Sequence, residues 1–121
     1  MASTTITVTV GGVDYVYALD SVSQDGARYL DSTSTLLNPS SVQCRRVYPK
    51  RQKTFPGVAR NELKTSHVFS YPDGTSSPII IGTSISRRAD TNMELFELLR
   101  KKHAMLLQSA TLDGFFNNLS I

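Results

Sequence analysis

Basic side chains are concentrated in one short part of the sequence, between residues 45 and 64. Seven cationic residues and one acidic residue give this part a charge of +6, whereas the whole chain of 121 residues carries only +3. Guanidinium and ammonium groups at this density suit a polyanion such as nucleic acid. The cationic residues are Arg45, Arg46, Lys50, Arg51, Lys53, Arg60 and Lys64. We therefore take this part of the chain as a candidate binding site.

The same cluster has a second explanation, which is protection of an exposed strand edge. Lysine and arginine side chains at a sheet edge discourage pairing with another chain. Strand alternation helps to separate the two explanations, because one face of a strand carries every second residue. Arg45 shares its parity with Gln43, and Lys64 shares its parity with Ser66, while the opposite parities carry apolar side chains. Arg45 and Lys64 are therefore the best candidates for phosphate contacts.

Residues that could catalyse a reaction are few, and they form no specific motif. His67, His103 and Cys44 are spread along the chain, and no glycine-rich phosphate loop joins a strand to a helix. His103 lies among leucines of a predicted helix, so we expect a packing or interface role for it. A single cysteine forms neither an intrachain disulfide nor a multi-cysteine metal site, and we expect Cys44 to be buried. The sequence predicts no enzymatic activity, no cofactor and no metal site.

Alternating polar and apolar residues predict six β-strands before any helix. Residues 5–10 alternate hydroxyl and aliphatic side chains, and Gly11 and Gly12 supply a tight turn into a second strand that reaches Leu19. We predict a turn-rich stretch at residues 20–26. Further strands are predicted at residues 27–32, 42–49, 62–71 and 78–86, with a break at residues 38–40, a basic loop at residues 49–57 and a turn-rich loop at residues 71–78.

The C-terminal part of the chain predicts two helices. Thr91 and Glu94 have the spacing of a capping box, so the first helix should begin near residue 90 or 91, and its apolar periodicity continues to about residue 108. Thr111 should cap a short second helix. The apolar face of the first helix is too wide for one small sheet to cover, which favours a homodimer. The predicted dimer interface consists of Leu95, Leu98, Leu99, His103 and Leu106.

These elements predict a single α+β domain spanning residues 1–121. It should contain an N-terminal β-hairpin, an antiparallel sheet and two C-terminal helices. No apolar run approaches the ~20 residues that a membrane-spanning helix needs, so no membrane association is expected. The first residues also lack the basic and then apolar pattern of a secretory signal.

Three local segments, together with the order of the elements, resemble the coat proteins of single-stranded RNA bacteriophages. Val-Gln-Cys-Arg at residues 42–45 is similar to the family strand whose alternate side chains touch an RNA hairpin. Residues 60–68 are similar to the adjacent contacting strand, and residues 87–96 resemble the junction between the last strand and the first helix. The resemblance covers nearly the whole chain.

The resemblance implies an intertwined homodimer in which two sheets join into one continuous sheet. Dimers would assemble into an icosahedral shell in the cytoplasm of a bacterial host, with genomic RNA bound on the inner sheet face. It further implies a place in the virion, a position near the symmetry axes for residues 71–78, and translational repression through an RNA hairpin. The alternative is a small dimeric nucleic-acid-binding regulator that forms no shell.

The predicted RNA-binding set combines the residues selected by alternation with those that the resemblance implies. The last strand contributes Thr83, which lies near Ile79 and Ile81 where members of the family present polar and aromatic contacts. The full set is Gln43, Arg45, Lys50, Arg51, Lys53, Arg60, Lys64, Ser66 and Thr83.

Overall fold

The computed structural model describes residues 4–120, which form six antiparallel strands and two α-helices. The described residues form two compact units, a strand unit up to Ala89 and a helical unit from Asp90. The strands lie in the sheet in the order in which they occur along the chain. Their bounds are β1 Thr5–Val10, β2 Val13–Ser23, β3 Gly26–Asp31, β4 Ser40–Val47, β5 Val58–Ser70 and β6 Ser76–Arg88. The predicted α+β class is confirmed, and a single domain stays a prediction.

The N-terminal hairpin follows the sequence pattern closely at its turn. Gly11 and Gly12 both adopt positive φ angles, of 59° and 80°, as a tight hairpin turn requires. The predicted turn-rich stretch at residues 20–26 is wrong, because β2 continues to Ser23 and leaves a two-residue turn before β3. The register shifts between Leu19 and Ser21, so Asp20 is the extra residue of a β-bulge. The bulge allows a strand to continue through polar residues that resemble a turn in sequence.

The loop between β5 and β6 is shorter than predicted. Ser76 to Pro78 belong to β6, which is an edge strand and therefore accommodates a proline. The remaining residues form a compact turn in which the Tyr71 amide donates to the Thr75 carbonyl at 2.8 Å. The Asp73 carboxylate accepts hydrogen bonds from the Thr75 hydroxyl at 2.6 Å and from the Thr75 amide at 2.9 Å. These bonds hold the pKa of Asp73 below its ordinary value, the hydroxyl having the largest effect.

The register gives the sheet one polar face and one apolar face. Directly paired residues on antiparallel strands project from the same face, and successive residues project from opposite faces. The polar face carries Arg28, Ser41, Gln43, Arg45, Arg60, Glu62, Lys64 and Ser66 on its three middle strands. The apolar face carries Ala27, Tyr29, Val42, Cys44, Leu63, Phe69, Ile79 and Ile81.

The strand unit buries little of its apolar face. Tyr29 and Val42 are the buried hydrophobic side chains within the described part of the chain, at 4% and 8% exposure. Leu63 and Ile81 remain 49% and 58% exposed. The expectation that Cys44 is buried is wrong, because its side chain is only partly covered. A face this apolar and this exposed is typical of a protein interface.

The helical unit contains α1, Met93–Gln108, and α2, Asp113–Asn118, joined through a 3-10 turn at Ala110–Leu112. Asn92 caps α1, accepting hydrogen bonds from the Glu94 and Leu95 amides, so the prediction of a cap at residue 91 was one residue early. Thr111 does not cap α2, because it lies inside the 3-10 turn. Among the residues described, no helix combines the length and the apolar character that a membrane crossing requires.

Candidate nucleic-acid interface

The cations on the polar face differ in whether a carboxylate lies close enough to form an ion pair with them. Arg45 lies 3.7 Å from Glu62 across the β4–β5 pair, and Arg28 lies 3.7 Å from Asp20 of the bulge. Both pairs are solvent-exposed and loose, so a phosphate could replace the carboxylate at little cost. Arg60 and Lys64 form no ion pair with any residue that the structure describes. These two cations are therefore the most available for an added anion.

A hollow of about 180 Å³ lies on the polar face between strands β3, β4 and β5. Gln43 and Lys64, which are directly paired on β4 and β5, both line it. The Nε atom of Arg28, at its rim, is buried and has no hydrogen-bond partner among the described residues. A phosphate or base oxygen could accept that bond. The lining residues are Arg28, Pro39, Ser41, Gln43, Lys64 and Ser66.

Arg46 belongs to the opposite face and has a structural role. Its guanidinium donates to the Gln24 carbonyl at 3.0 Å and lies 3.9 Å from the Asp25 carboxylate. It also stacks over the Tyr48 ring, with 4.8 Å between the guanidinium carbon and the ring centroid. These contacts anchor the β2–β3 turn, so Arg46 contributes charge to the cluster but not to the polar face.

The basic loop, residues 49–57, has a defined structure at one end of the sheet. Gln52 and Phe55 exchange two backbone hydrogen bonds, of 2.9 and 2.7 Å, and place Lys53 at the tip with a φ of 47°. Gly57 is buried against Lys50 with a φ of 91°. The Gly57 carbonyl accepts a 3.0 Å bond from the Ala89 amide, which ties the loop to the end of β6. Lys50, Arg51 and Lys53 are solvent-exposed.

The structure brings most of the predicted RNA-binding residues together. Gln43, Arg45, Arg60, Lys64 and Ser66 share the polar face, and the three loop cations lie at its end.

Thr83 is the exception. It is paired with Leu63 on the apolar face, away from the strand residues of the set, and its role in RNA binding stays a prediction. Arg28 was not predicted, and it belongs to the polar face because it is paired with Gln43. No local signal marks Arg28, because the pairing joins residues 15 positions apart.

The predicted interface residues of α1 are all uncovered in the single chain. Exposure is 63% for Leu95, 50% for Leu98, 66% for Leu99 and 54% for Leu106, and His103 is likewise exposed. No residue of α1 is buried. The role of these residues in a dimer stays a prediction, but the uncovered apolar surface that it requires is present.

No protein-family model matches the sequence, and no curated protein is significantly similar to it. Solved structures do match over almost the full length. Similarity to the virus-like particle of bacteriophage GQ-907 has a TM-score of 0.81 at 18% identity, covering 94% of this chain and 88% of that one. For the virus-like particle of Beihai levi-like virus 21 the TM-score is 0.75 at 12% identity, covering 100% and 98%. The coat protein of bacteriophage EMS014 gives 0.57 at 11% identity, covering 93% and 74%. The chain has the fold of levivirus-like phage coat proteins.

This coat-protein fold extends through both units of the chain. Coverage of 94% or more in the first two matches requires that the strand unit and the helical unit each have counterparts. At identities of 12–18% the matches establish the fold and do not assign roles to individual side chains. The roles of individual side chains follow from the contacts, charges and burial of this chain's own residues.

Proposed function

We propose that the protein is a capsid subunit that dimerises, assembles into an icosahedral shell and packages single-stranded RNA. The observation that carries this proposal is the full-length fold match to proteins that form virus-like particles. Such a subunit has a structural role and needs no catalytic site. Its place would be the virion, after assembly in the cytoplasm of a bacterial host.

Two uncovered apolar surfaces support the dimer. The apolar face of the sheet exposes Leu63, Ile79 and Ile81, and α1 exposes its leucines. In a two-fold arrangement each helical unit would cover the sheet of the other copy, so both surfaces would be buried by one symmetric interface. The edge strand β6 could then pair with its copy and make the sheet continuous.

The polar face supports RNA as the packaged ligand. In the proposed dimer, the helices of the other copy cover the apolar face and leave the polar face open toward the interior of the shell. Arg28, Arg45, Arg60 and Lys64 then supply phosphate contacts that depend little on sequence. The hollow beside Arg28 and Lys64 also favours capture of a base extruded from an RNA hairpin, the contact through which translational repression would act.

The deciding experiment is electron microscopy of the purified, recombinant protein. We expect closed spherical particles whose nucleic acid is RNA, identified by extraction and ribonuclease digestion. Dimers that bind RNA but never form particles would instead establish the regulator without a shell. A protein that neither assembles nor binds RNA would refute both functions.

Removing two cations from the polar face should reduce RNA packaging without unfolding the protein. For Arg45→Ala combined with Lys64→Ala, the log–log salt slope of binding to single-stranded RNA should flatten by about 0.7 for each lost phosphate contact. Packaged RNA per particle should fall. Filter binding across a salt series measures the slope. The ratio of nucleic-acid absorbance to protein absorbance in purified particles measures the packaged RNA.

The matched control for this variant is Arg100→Ala combined with Lys101→Ala, on the polar side of α1. It removes the same charge from the chain but leaves the polar face intact. We expect a nearly unchanged salt slope. Equal loss in both double variants would mean that only the net charge matters, and an unchanged slope in the first would remove Arg45 and Lys64 from the RNA surface.

A further inference from the structure

We propose that the basic loop is a separate stacking site for unpaired bases of single-stranded RNA, with the Phe55 ring as its platform and the Gln52 amide beside it. The proposal rests on the proposed RNA-packaging function and deepens it. In this proposal the loop recognises unstacked bases, whereas its positive charge alone would bind only the phosphates.

The ring of Phe55 is supported on one side and accessible overall. The Arg88 guanidinium carbon lies 5.5 Å from the ring centroid, and Phe55 is 42% exposed. A guanidinium on one face of a ring leaves the other face available to a planar ligand. Nucleobases stack on such rings with little dependence on sequence, because every base has a π-face.

Gln52 lies in the correct place to contact the edge of a stacked base. The reciprocal backbone bonds make Gln52 and Phe55 a directly opposed pair, so both side chains project from the same face of the loop. Gln52 is exposed. Its amide offers both donors and an acceptor, which can hydrogen-bond to any base edge.

Charge around this pair favours a polyanion. The loop carries Lys50, Arg51 and Lys53 and no acidic residue. None of the three forms an ion pair with the described residues, in contrast to Arg45 and Arg46, which lie near Glu62 and Asp25. Aromatic and cationic side chains side by side are the combination that proteins use to bind single strands.

The loop is also rigid enough to present a site. Gly57 lies so close to Lys50 that a Cβ atom would approach its backbone nitrogen and oxygen to 2.8 and 2.7 Å. Together with the Gln52–Phe55 bonds, this contact closes the loop at both its base and its tip. A base that docks there would lose little affinity to loop ordering.

The test uses RNA-free dimers and two synthetic dodecamers, oligoadenylate and the same ribose-phosphate chain with abasic sites. Wild type should bind oligoadenylate more tightly than the abasic chain. Phe55→Leu, which keeps an apolar side chain, should weaken oligoadenylate binding by roughly 5- to 100-fold and leave abasic binding unchanged. A Phe55→Leu variant equal to wild type on both chains, or equally weakened on both, would refute the stacking site.

Phe55→Trp supplies an independent readout, because the chain contains no tryptophan. Its fluorescence should be quenched by oligoadenylate but not by the abasic chain. Tyr71→Trp, one residue beyond the end of β5 that lies away from the basic loop, is the control and should respond to neither. Absence of quenching at position 55 would refute the stacking site while wild-type RNA binding persists. If wild type binds neither chain, the proposed RNA-packaging function itself fails.

Discussion

Leu99→Asp is expected to leave the protein unable to form dimers or particles. Leu99 is 66% exposed in the single chain and, in the proposed dimer, lies in the apolar interface. An unpaired carboxylate in such a contact costs roughly 3–5 kcal/mol per copy. Two copies meet in each dimer, so the loss is comparable with the whole stability of a small domain, about 5–15 kcal/mol. Multi-angle light scattering measures the loss of dimers, and electron microscopy measures the loss of particles.

Lys101→Asp is the matched control for this variant. Residue 101 lies two positions further along α1, about 200° around the helix axis, on the polar side. The same aspartate there should leave dimers and particles in place. Particles formed by Leu99→Asp, or a stable folded monomer of the wild type, would show that α1 does not form the interface.

Gly57→Ala is expected to be strongly destabilising although it adds a single methyl group. The new Cβ would lie 2.7–2.9 Å from backbone atoms of Lys50, and the residue has a φ of 91°. The positive φ costs roughly 1–3 kcal/mol for a residue other than glycine, and the overlap adds about 1–3 kcal/mol more. The midpoint of urea unfolding should fall accordingly, and the basic loop should lose its defined conformation.

Gly82→Ala provides the comparison. A Cβ at this position on β6 meets no atom within 4 Å. Alanine is favoured over glycine in a strand by up to ~1 kcal/mol, so the midpoint should stay the same or rise slightly. Equal midpoints for the two alanine variants would show that the basic loop is not held by the Gly57 contact.

Elements whose signals are local were predictable from the sequence. The alternation of residues 5–10, the paired glycines and the periodicity of α1 each depend on neighbouring residues, and all three are confirmed. The errors arise where two local signals compete. Asp20, Ser21 and Ser23 have a turn-like composition but lie in a bulged strand, and Asn92 competes with Thr91 for the helix cap.

The candidate site was less predictable, because a surface depends on which strands are neighbours. Parity within one strand correctly separated Arg45 from Cys44. It could not compare the face of Thr83 with that of Lys64, since this requires the β5–β6 register. Arg28 and Phe55 were missed for the same reason, as each acquires its surroundings from residues distant in sequence.

The small core of the described chain has a consequence for how the protein reaches its native state. With Tyr29 and Val42 as the buried hydrophobic side chains of that chain, a newly made subunit gains little from intramolecular collapse. In the proposed dimer most apolar burial is completed only when a second copy arrives, so refolding becomes a second-order reaction whose rate increases with subunit concentration. Early in synthesis, when copies are scarce, dimerisation is slow and the half-folded chains keep the sheet and helix leucines exposed for longer. The accumulation of subunits would then itself shift the population from monomers with exposed apolar faces to building blocks of the shell.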